Sequence, residues 1–247
     1  MAKVDSDLTF VQTDESQALC GVYLIGDVHE IISVEVLEAK VDCDQGEFLE
    51  IFDGWMARGN ILPSDGDHAL PLEKRIVRFC EWQRARYQTA LTFTSTQNVA
   101  LVQFRLYMNS EIKIRFRRIY ATSLKCNVVT PTTQGRYTMY SVQGRSCTFS
   151  IIQPTLLEVE EVLLSSENVN ATRHDTIEIL KGDSLDTAAM TLVQRYQAPY
   201  KSDGLKKFVL GQSHAAVRMT SFGFHDNTIK FKYTKMSDAE LNEELCT

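Results

Sequence analysis

The chain is notable first for what it lacks. Its 247 residues include no apolar run near the length of about 20 residues that a membrane-spanning helix requires. Residues 1–7 also lack the apolar core of a secretory signal peptide. Taken literally, these two absences predict a cytosolic protein, although the cysteine spacing described below predicts the opposite.

The motifs of common catalytic centres are also missing. There is no Gly-x-Ser-x-Gly elbow and no phosphate-binding loop. No two cysteines have the CxxC spacing, and no cysteine lies at ligand spacing from a histidine. The five histidines are scattered: His29, His68, His174, His214 and His225. We therefore expect a protein that is not an enzyme and that uses neither a cofactor nor a metal.

Composition narrows the class of protein further. The sequence is 44% hydrophobic and 23% charged, which is too apolar for a disordered chain. The formal net charge of −6 argues mildly against binding to nucleic acid. These values predict a soluble globular protein with no nucleic-acid partner and no membrane span.

The pattern that is present is that of β-strands. Residues 48–53 alternate apolar and polar side chains and end at Gly54, as a strand entering a tight turn does. Residues 100–108 alternate in the same way, and the short turn at residues 109–111 predicts a hairpin with residues 112–116. The acidic tail, residues 237–244, is the one segment that suggests a helix. The pattern therefore predicts an all-β protein.

Landmarks of the first half recur in the second half. Phe10 and Cys20 correspond to Tyr137 and Cys147 at one and the same offset along the chain. The strand of residues 48–53 recurs at nearly that offset, and residues 112–116 recur at 229–233, where a shorter middle loop reduces the offset. The repeat predicts two tandem β-sandwich domains, residues 1–124 and 125–236, followed by an acidic tail at 237–247.

The repeat also makes the six cysteines informative. The spacing between Cys126 and Cys147, when applied to Cys20, places a partner for Cys20 just before Met1. We expect that the chain is an N-terminally truncated piece of a secreted protein. Cys43 and Cys80 would close a loop within the first repeat. Two alternatives stay open, namely six reduced cysteines in a cytosolic protein, and Cys246 either free or bridged to Cys20.

A sandwich of this size with a strand of the form Leu-Glu-Ile-x-Asp-Gly resembles the CUB domain. Several motifs resemble the corticotropin-releasing factor-binding protein family more closely. These motifs are Phe52-Asp53-Gly54-Trp55, Phe79-Cys80-Glu81, Ser95-Thr96-Gln97-Asn98-Val99-Ala100, Gly135-Arg136-Tyr137-Thr138 and Cys147-Thr148-Phe149-Ser150-Ile151-Ile152.

The resemblance implies tandem CUB-like jelly-roll sandwiches in a secreted glycoprotein. It also implies that the protein sequesters a peptide of the corticotropin-releasing factor, urocortin or diuretic-hormone type and limits its receptor signalling. The disulfides implied are Cys43–Cys80 and Cys126–Cys147. The sequon at Asn170 differs in position from the glycosylation site of the family.

Four large apolar side chains at or near turns are candidate peptide anchors: Phe52, Trp55, Met56 and Trp82. Plain packing explains them equally well. The basic residues of 113–118 and 230–235 suggest either an anionic partner or an ordinary solvated strand face. The alternative function is a structural or adhesive CUB pair that binds protein or glycan surfaces, with calcium at Glu47 and Asp53. Calcium prefers six to eight oxygen ligands, and these two carboxylates lack a third.

Overall fold

The computed structural model describes residues 6–14, 18–57, 59–85, 90–122, 126–165, 173–211, 213–223 and 226–245. The chain divides into two compact units, one of Met1–Asp65 with Ala69–Leu124 and the other of Gly66–His68 with Lys125–Thr247. The predicted tail lies in the second unit. None of the helices in the described ranges is long and apolar enough to cross a membrane.

The described part of the first unit contains ten strands and one short α-helix. Its elements are β1 (Ser6–Val11), β2 (Leu19–Ile25), β3 (Glu30–Lys40), β4 (Phe48–Asp53), β5 (Trp55–Ala57), β6 (Asn60–Leu62), β7 (Ile76–Arg78), α1 (Phe79–Arg84), β8 (Thr92–Thr94), β9 (Val99–Arg105) and β10 (Glu111–Tyr120). They form two four-stranded sheets and a small β5–β6 hairpin. Sheet 1 has the order β1-β10-β3-β8, and sheet 2 has the order β2-β9-β4-β7.

Strand alternation explains how the two sheets share a core. Every second residue of a strand faces the same side of the sheet. Ile32 and Val34 of β3 therefore meet Leu49 and Ile51 of β4 in one buried cluster, which also includes Val102 of β9. The outer faces of both sheets carry the intervening residues.

The second unit repeats this plan. Its elements are β11 (Val128–Thr130), β12 (Gln134–Tyr140), β13 (Ser146–Ile151), β14 (Thr155–Leu164), β15 (Thr176–Gly182), β16 (Thr191–Gln197), β17 (Tyr200–Ser202), β18 (Lys206–Leu210), β19 (His214–Thr220), β20 (Thr228–Lys235) and α2 (Asp238–Leu245). Sheet 3 has the order β11-β13-β19-β15-β16. Sheet 4 has the order β12-β20-β14-β17, with β18 also paired to β14.

The structure confirms the all-β prediction, the two sandwich units and both disulfides. Cys43–Cys80 and Cys126–Cys147 have S–S distances of 2.06 and 1.98 Å. Among the described cysteines, Cys20 is free. Cys246 and Asn170 lie outside the described residues, so their predicted states stay predictions.

The predicted β9–β10 hairpin is wrong. β9 pairs with β2 and β4 in sheet 2, whereas β10 pairs with β1 and β3 in sheet 1. The turn therefore carries the chain from one sheet to the other. β9 ends at Arg105, and Met108, the last residue of the alternating segment 100–108, lies in this crossover and is 53% exposed. Both arrangements bury the same alternating residues, so periodicity alone does not distinguish them.

Candidate functional site

Two of the four predicted anchors are buried. Phe52 is 3% exposed and Trp55 is 4% exposed. Burial at this level removes both side chains from the reach of a ligand on the surface, which argues against their predicted contact with a peptide. Met56 on β5 and Trp82 on α1 are half-buried. The four residues do not form one exposed cluster.

The reason for this burial lies in the chain that follows β4. Phe52 of β4 is paired with Leu101 of β9, and by alternation both face outward from the sandwich core. Both are nevertheless buried. The turn at Gly54 directs the chain into the β5–β6 hairpin, and β5 contacts β9. The hairpin and the loop after it therefore cover one end of the outer face of sheet 2.

The loop after the hairpin is held by a buried arginine. Arg75 is 1% exposed, and it donates hydrogen bonds to the carbonyl of Pro63 (2.5 Å) and to the carboxylate of Asp65 (3.4 Å). Burial lowers the pKa of Arg75 while Asp65 and Asp53 oppose the change, and a guanidinium stays charged at neutral pH. Arg75 therefore fixes the cover over Phe52 rather than presenting its charge to a ligand.

The other end of the same face is open. Leu19 and Tyr23 of β2 point outward and are 54% and 48% exposed. Gly21 lies between them and carries no side chain; a Cβ there would lie 3.3 Å from Cδ1 of Leu101. We call this surface the open face; it comprises Leu19, Gly21 and Tyr23 of β2, Gln103 and Arg105 of β9, and Phe48 and Glu50 of β4.

Strand register places these residues in rows across the sheet. Leu19, Arg105 and Phe48 form one row, and Gly21, Gln103 and Glu50 form the next. Tyr23 begins the third row, where its hydroxyl donates to the carbonyl of Met56 at 2.9 Å. Tyr23 and Met56 thus mark the boundary between the covered end and the open face.

Arg105 is the unusual member of this face. Its guanidinium carbon lies 5.6 Å from the centre of the Phe48 ring, within the range of a cation–π contact. Its Nε is buried and has no hydrogen-bond partner in the described structure. By contrast, the next arginine on this side of the sheet, Arg78, forms an ion pair with Glu50 at 3.0 Å. The open face therefore combines apolar side chains with a cation that no described carboxylate neutralises.

A second surface, beside the Cys43–Cys80 disulfide, is less suited to a ligand. An open cleft of about 610 Å³ is lined by Lys40, Val41, Asp42, Cys43, Asp44, Gln83, Arg84 and Ser110. Its charges are neutralised within the cleft or at its edge: Arg84 pairs with Asp44 at 3.3 Å and Lys40 with Glu111 at 3.1 Å. Trp82 lies near this end of the unit, where it contacts Phe79 with ring centres 5.8 Å apart and packs on the core.

The carboxylates considered for calcium have other partners. Glu47 accepts hydrogen bonds from the backbone N–H groups of Asp42 and Tyr107. Asp53 accepts from the backbone N–H of Thr96 at 3.0 Å and from its hydroxyl at 2.8 Å. Across the described residues, no group of three His, Cys, Asp or Glu side chains could hold a metal ion.

Four basic residues of the segments 113–118 and 230–235 form ion pairs within their own sheets. Arg115 forms an ion pair with Asp7 at 2.9 Å, and Lys230 forms one with Glu161 at 2.5 Å. Two further pairs are longer: Arg117 with Glu35 at 3.8 Å and Lys232 with Glu158 at 3.6 Å. These contacts favour the solvated strand face over a site for an anionic partner.

Sequence reasoning missed the residues of the open face. The signal for Tyr23 was present, because it alternates with the inward-facing Val22 and Leu24 and is therefore an outward-facing aromatic residue. No comparable signal marked Arg105. Arg105 is surrounded by Leu19 and Phe48, which become its neighbours only because of the pairing of β9 with β2 and β4.

Comparison with known proteins identifies the family to which this protein belongs. The sequence profile of the corticotropin-releasing factor binding protein N-terminal domain matches residues 1–117, and that of its C-terminal domain matches residues 128–242. The chain belongs to the corticotropin-releasing factor-binding protein family.

Individual relatives agree with this assignment. The chain is 30% identical to the human corticotropin-releasing factor-binding protein over 98% of its own length and 76% of the relative. It is also 30% identical to the Xenopus laevis protein over 99% of its length and 77% of that relative. Among solved structures, the CUB1-EGF-CUB2 domain of human MASP-1/3 matches 93% of this chain and 98% of that chain, with a TM-score of 0.32 and 9% identity. That score is too low to support structural inference.

Proposed function

We propose that this protein is an extracellular carrier that binds a peptide hormone of the corticotropin-releasing factor type and keeps it from its receptor. The observation that carries the proposal is the pair of family profiles, which match residues 1–117 and 128–242. The relatives matched over nearly the whole chain are named for binding this hormone. The proposed role is binding rather than catalysis.

Two further observations support an extracellular carrier. Disulfides such as Cys43–Cys80 and Cys126–Cys147 persist in oxidising compartments and are rare in the cytosol. The open face also offers two exposed apolar side chains, Leu19 and Tyr23, that a peptide could contact. Glycosylation at Asn170 is part of the proposal and is consistent with export.

The proposal is tested by isothermal titration calorimetry with a urocortin-like peptide. We expect saturable binding at micromolar or lower concentrations, and no binding of a peptide with the same composition in scrambled order. A chelator should not change the affinity, because the oxygens of Glu47 and Asp53 already accept hydrogen bonds within the chain. Absence of heat with the native-order peptide would contradict the proposal, and chelator-sensitive binding would favour the adhesive alternative.

A further inference from the structure

We propose that the open face of sheet 2 receives one side of a helical peptide, and that Arg105 pairs with a carboxylate on that peptide. This inference rests on the proposed function, because it takes the ligand to be a peptide. It goes further by naming the surface, the register of the contact and the chemistry of the ligand.

The first argument is the state of the arginine. A half-buried guanidinium whose Nε lacks a hydrogen bond has lost water without gaining an acceptor. The described contact of the Arg105 guanidinium is the Phe48 ring, at 5.6 Å. A carboxylate is the group that best complements a guanidinium, since it can accept two parallel N–H donors. Binding of an acidic side chain at this position would neutralise the charge of Arg105 through the guanidinium N–H groups that are not buried.

The second argument is the apolar surface around that charge. Leu19 is 54% exposed next to Arg105 in the same row, with the half-buried Phe48 on the other side. Tyr23 is 48% exposed two rows away, and Gly21 between them carries no side chain. Residues two apart on a strand are separated by about 7 Å, so the span from Leu19 to Tyr23 is about 13 Å. This span fits the diameter of about 10–12 Å of an α-helix with its side chains.

The chemistry of the ligand follows from these two arguments. Apolar residues at spacings of three and four on the peptide would contact Leu19, Phe48 and Tyr23. An aspartate or glutamate beside that apolar stripe would reach Arg105. A basic residue would be repelled at this position, so the pattern of charge along the peptide selects the register in which the helix lies.

The decisive experiment compares matched variants in calorimetric titrations with the same urocortin-like peptide. Leu19→Glu and Val11→Glu change side chains that are each 54% exposed on a strand, the first on the open face and the second on β1 of sheet 1. We expect Leu19→Glu to abolish detectable binding and Val11→Glu to leave it unchanged. Equal affinities for these two variants and the unmodified protein would overturn the inference.

Arg105 is tested by a double-mutant cycle. Arg105→Gln should weaken binding by about ten- to a hundredfold, as loss of a hydrogen bond to a charged group does. Arg117→Gln, which removes a charge from sheet 1, should not weaken it. Each acidic residue of the peptide is then replaced by its amide. We expect one position at which the amide weakens binding to the unmodified protein. At that position the amide should not weaken binding to the Arg105→Gln variant any further.

The outcomes separate this inference from the proposed function. If the unmodified protein does not bind the peptide, both are overturned. If it binds but no acidic position couples to Arg105, and Leu19→Glu binds normally, the open face is not the docking surface while the carrier function stands. Circular dichroism and urea denaturation show whether each variant is folded. If Arg105→Gln does not fold, the comparison of Leu19→Glu with Val11→Glu decides.

Discussion

Gly54 occupies the turn between β4 and β5 with a φ of +130°, a region that side-chain-bearing residues rarely adopt. A Cβ on Gly54 would lie 2.0 Å from the carbonyl oxygen of Leu62 and 2.9 Å from Nε2 of Gln97. The glycine therefore permits the hairpin to lie close to sheet 2. Without that approach Phe52 and Trp55 would lose their cover.

The first prediction concerns this turn. Gly54→Ala should lower the free energy of unfolding by about 3 kcal/mol or more, because it adds a backbone clash to an unfavourable φ. Gly59→Ala is the matched control: its φ is +81°, but nothing lies within 4 Å of the added Cβ. It should cost only about 1–2 kcal/mol. Urea denaturation measures both, and equal losses would contradict the clash.

Glu47 is a second residue on which local structure depends. Burial disfavours its charge, but hydrogen bonds from the Ser110 side chain and from the backbone of Asp42 and Tyr107 outweigh this and lower the pKa of Glu47. The ionised carboxylate joins the turn before β4 to the crossover after β9. Stability from a carboxyl group with a lowered pKa is present above its unfolded pKa of about 4.3 and is lost as the pH falls through the folded value.

The second prediction follows from the lowered pKa of Glu47. Glu47→Gln should lower the free energy of unfolding at pH 7 by about 1–3 kcal/mol, since an amide cannot accept all of these hydrogen bonds. The difference from the unmodified protein should shrink below about pH 4.3, where the carboxyl group is protonated in the unfolded chain. Denaturation curves between pH 3 and pH 7 measure it, with the exposed Glu81→Gln as control. A difference independent of pH would exclude this role for the charge.

At the scale of elements, the Cys43–Cys80 disulfide ties the turn before β4 to α1. The two residues are 37 positions apart, and their Cα atoms are 5.7 Å apart. The second unit contains no counterpart, because the corresponding positions in the sequence fall near Asn170 and Tyr196. The edge of sheet 3 is formed instead by β16, a strand of seven residues, where the edge of sheet 2 is the three-residue β7 followed by α1.

The third prediction is the cost of removing this disulfide. The double variant Cys43→Ser, Cys80→Ser should lower the free energy of unfolding of the first unit by about 3–4 kcal/mol, from the entropy of the opened loop. Cys20→Ala, which removes a described free thiol, is the control and should cost less. Tryptophan fluorescence reports on this unit, because both tryptophans, Trp55 and Trp82, belong to it. A loss below about 1 kcal/mol would contradict the prediction.

At the scale of the whole molecule, the cysteines test the predicted export. Two disulfides and the free Cys20 account for the described cysteines. The fourth prediction is that the unfolded, unreduced chain reacts with two equivalents of a thiol reagent, and with six after reduction. Mass spectrometry counts the adducts. Zero adducts before reduction would indicate that Cys20 and Cys246 are joined, and six would indicate a reduced protein.

Sequence by itself determined the architecture and the family of this protein. Alternation and the recurrence of landmarks in one order at nearly constant offsets are linear patterns, and they predict strands and two units. The two disulfides, Cys43–Cys80 and Cys126–Cys147, are implied by the resemblance of the motifs to the family. Periodicity shows which residues share a face of a strand. It does not show what, if anything, covers that face.

Tertiary structure alone decided which surface is open. Phe52 and Tyr23 belong to the same row of sheet 2, yet the first is 3% exposed and the second 48%. The difference arises because the chain after Gly54 folds back over Phe52, whereas at Tyr23, on the edge strand of the row, it contacts the hydroxyl group through the carbonyl of Met56. Arg105 has no carboxylate partner among the described residues for a similar reason, since its cross-strand neighbours are Leu19 and Phe48. Burial and charge pairing depend on contacts between distant segments, and the sequence does not display those contacts.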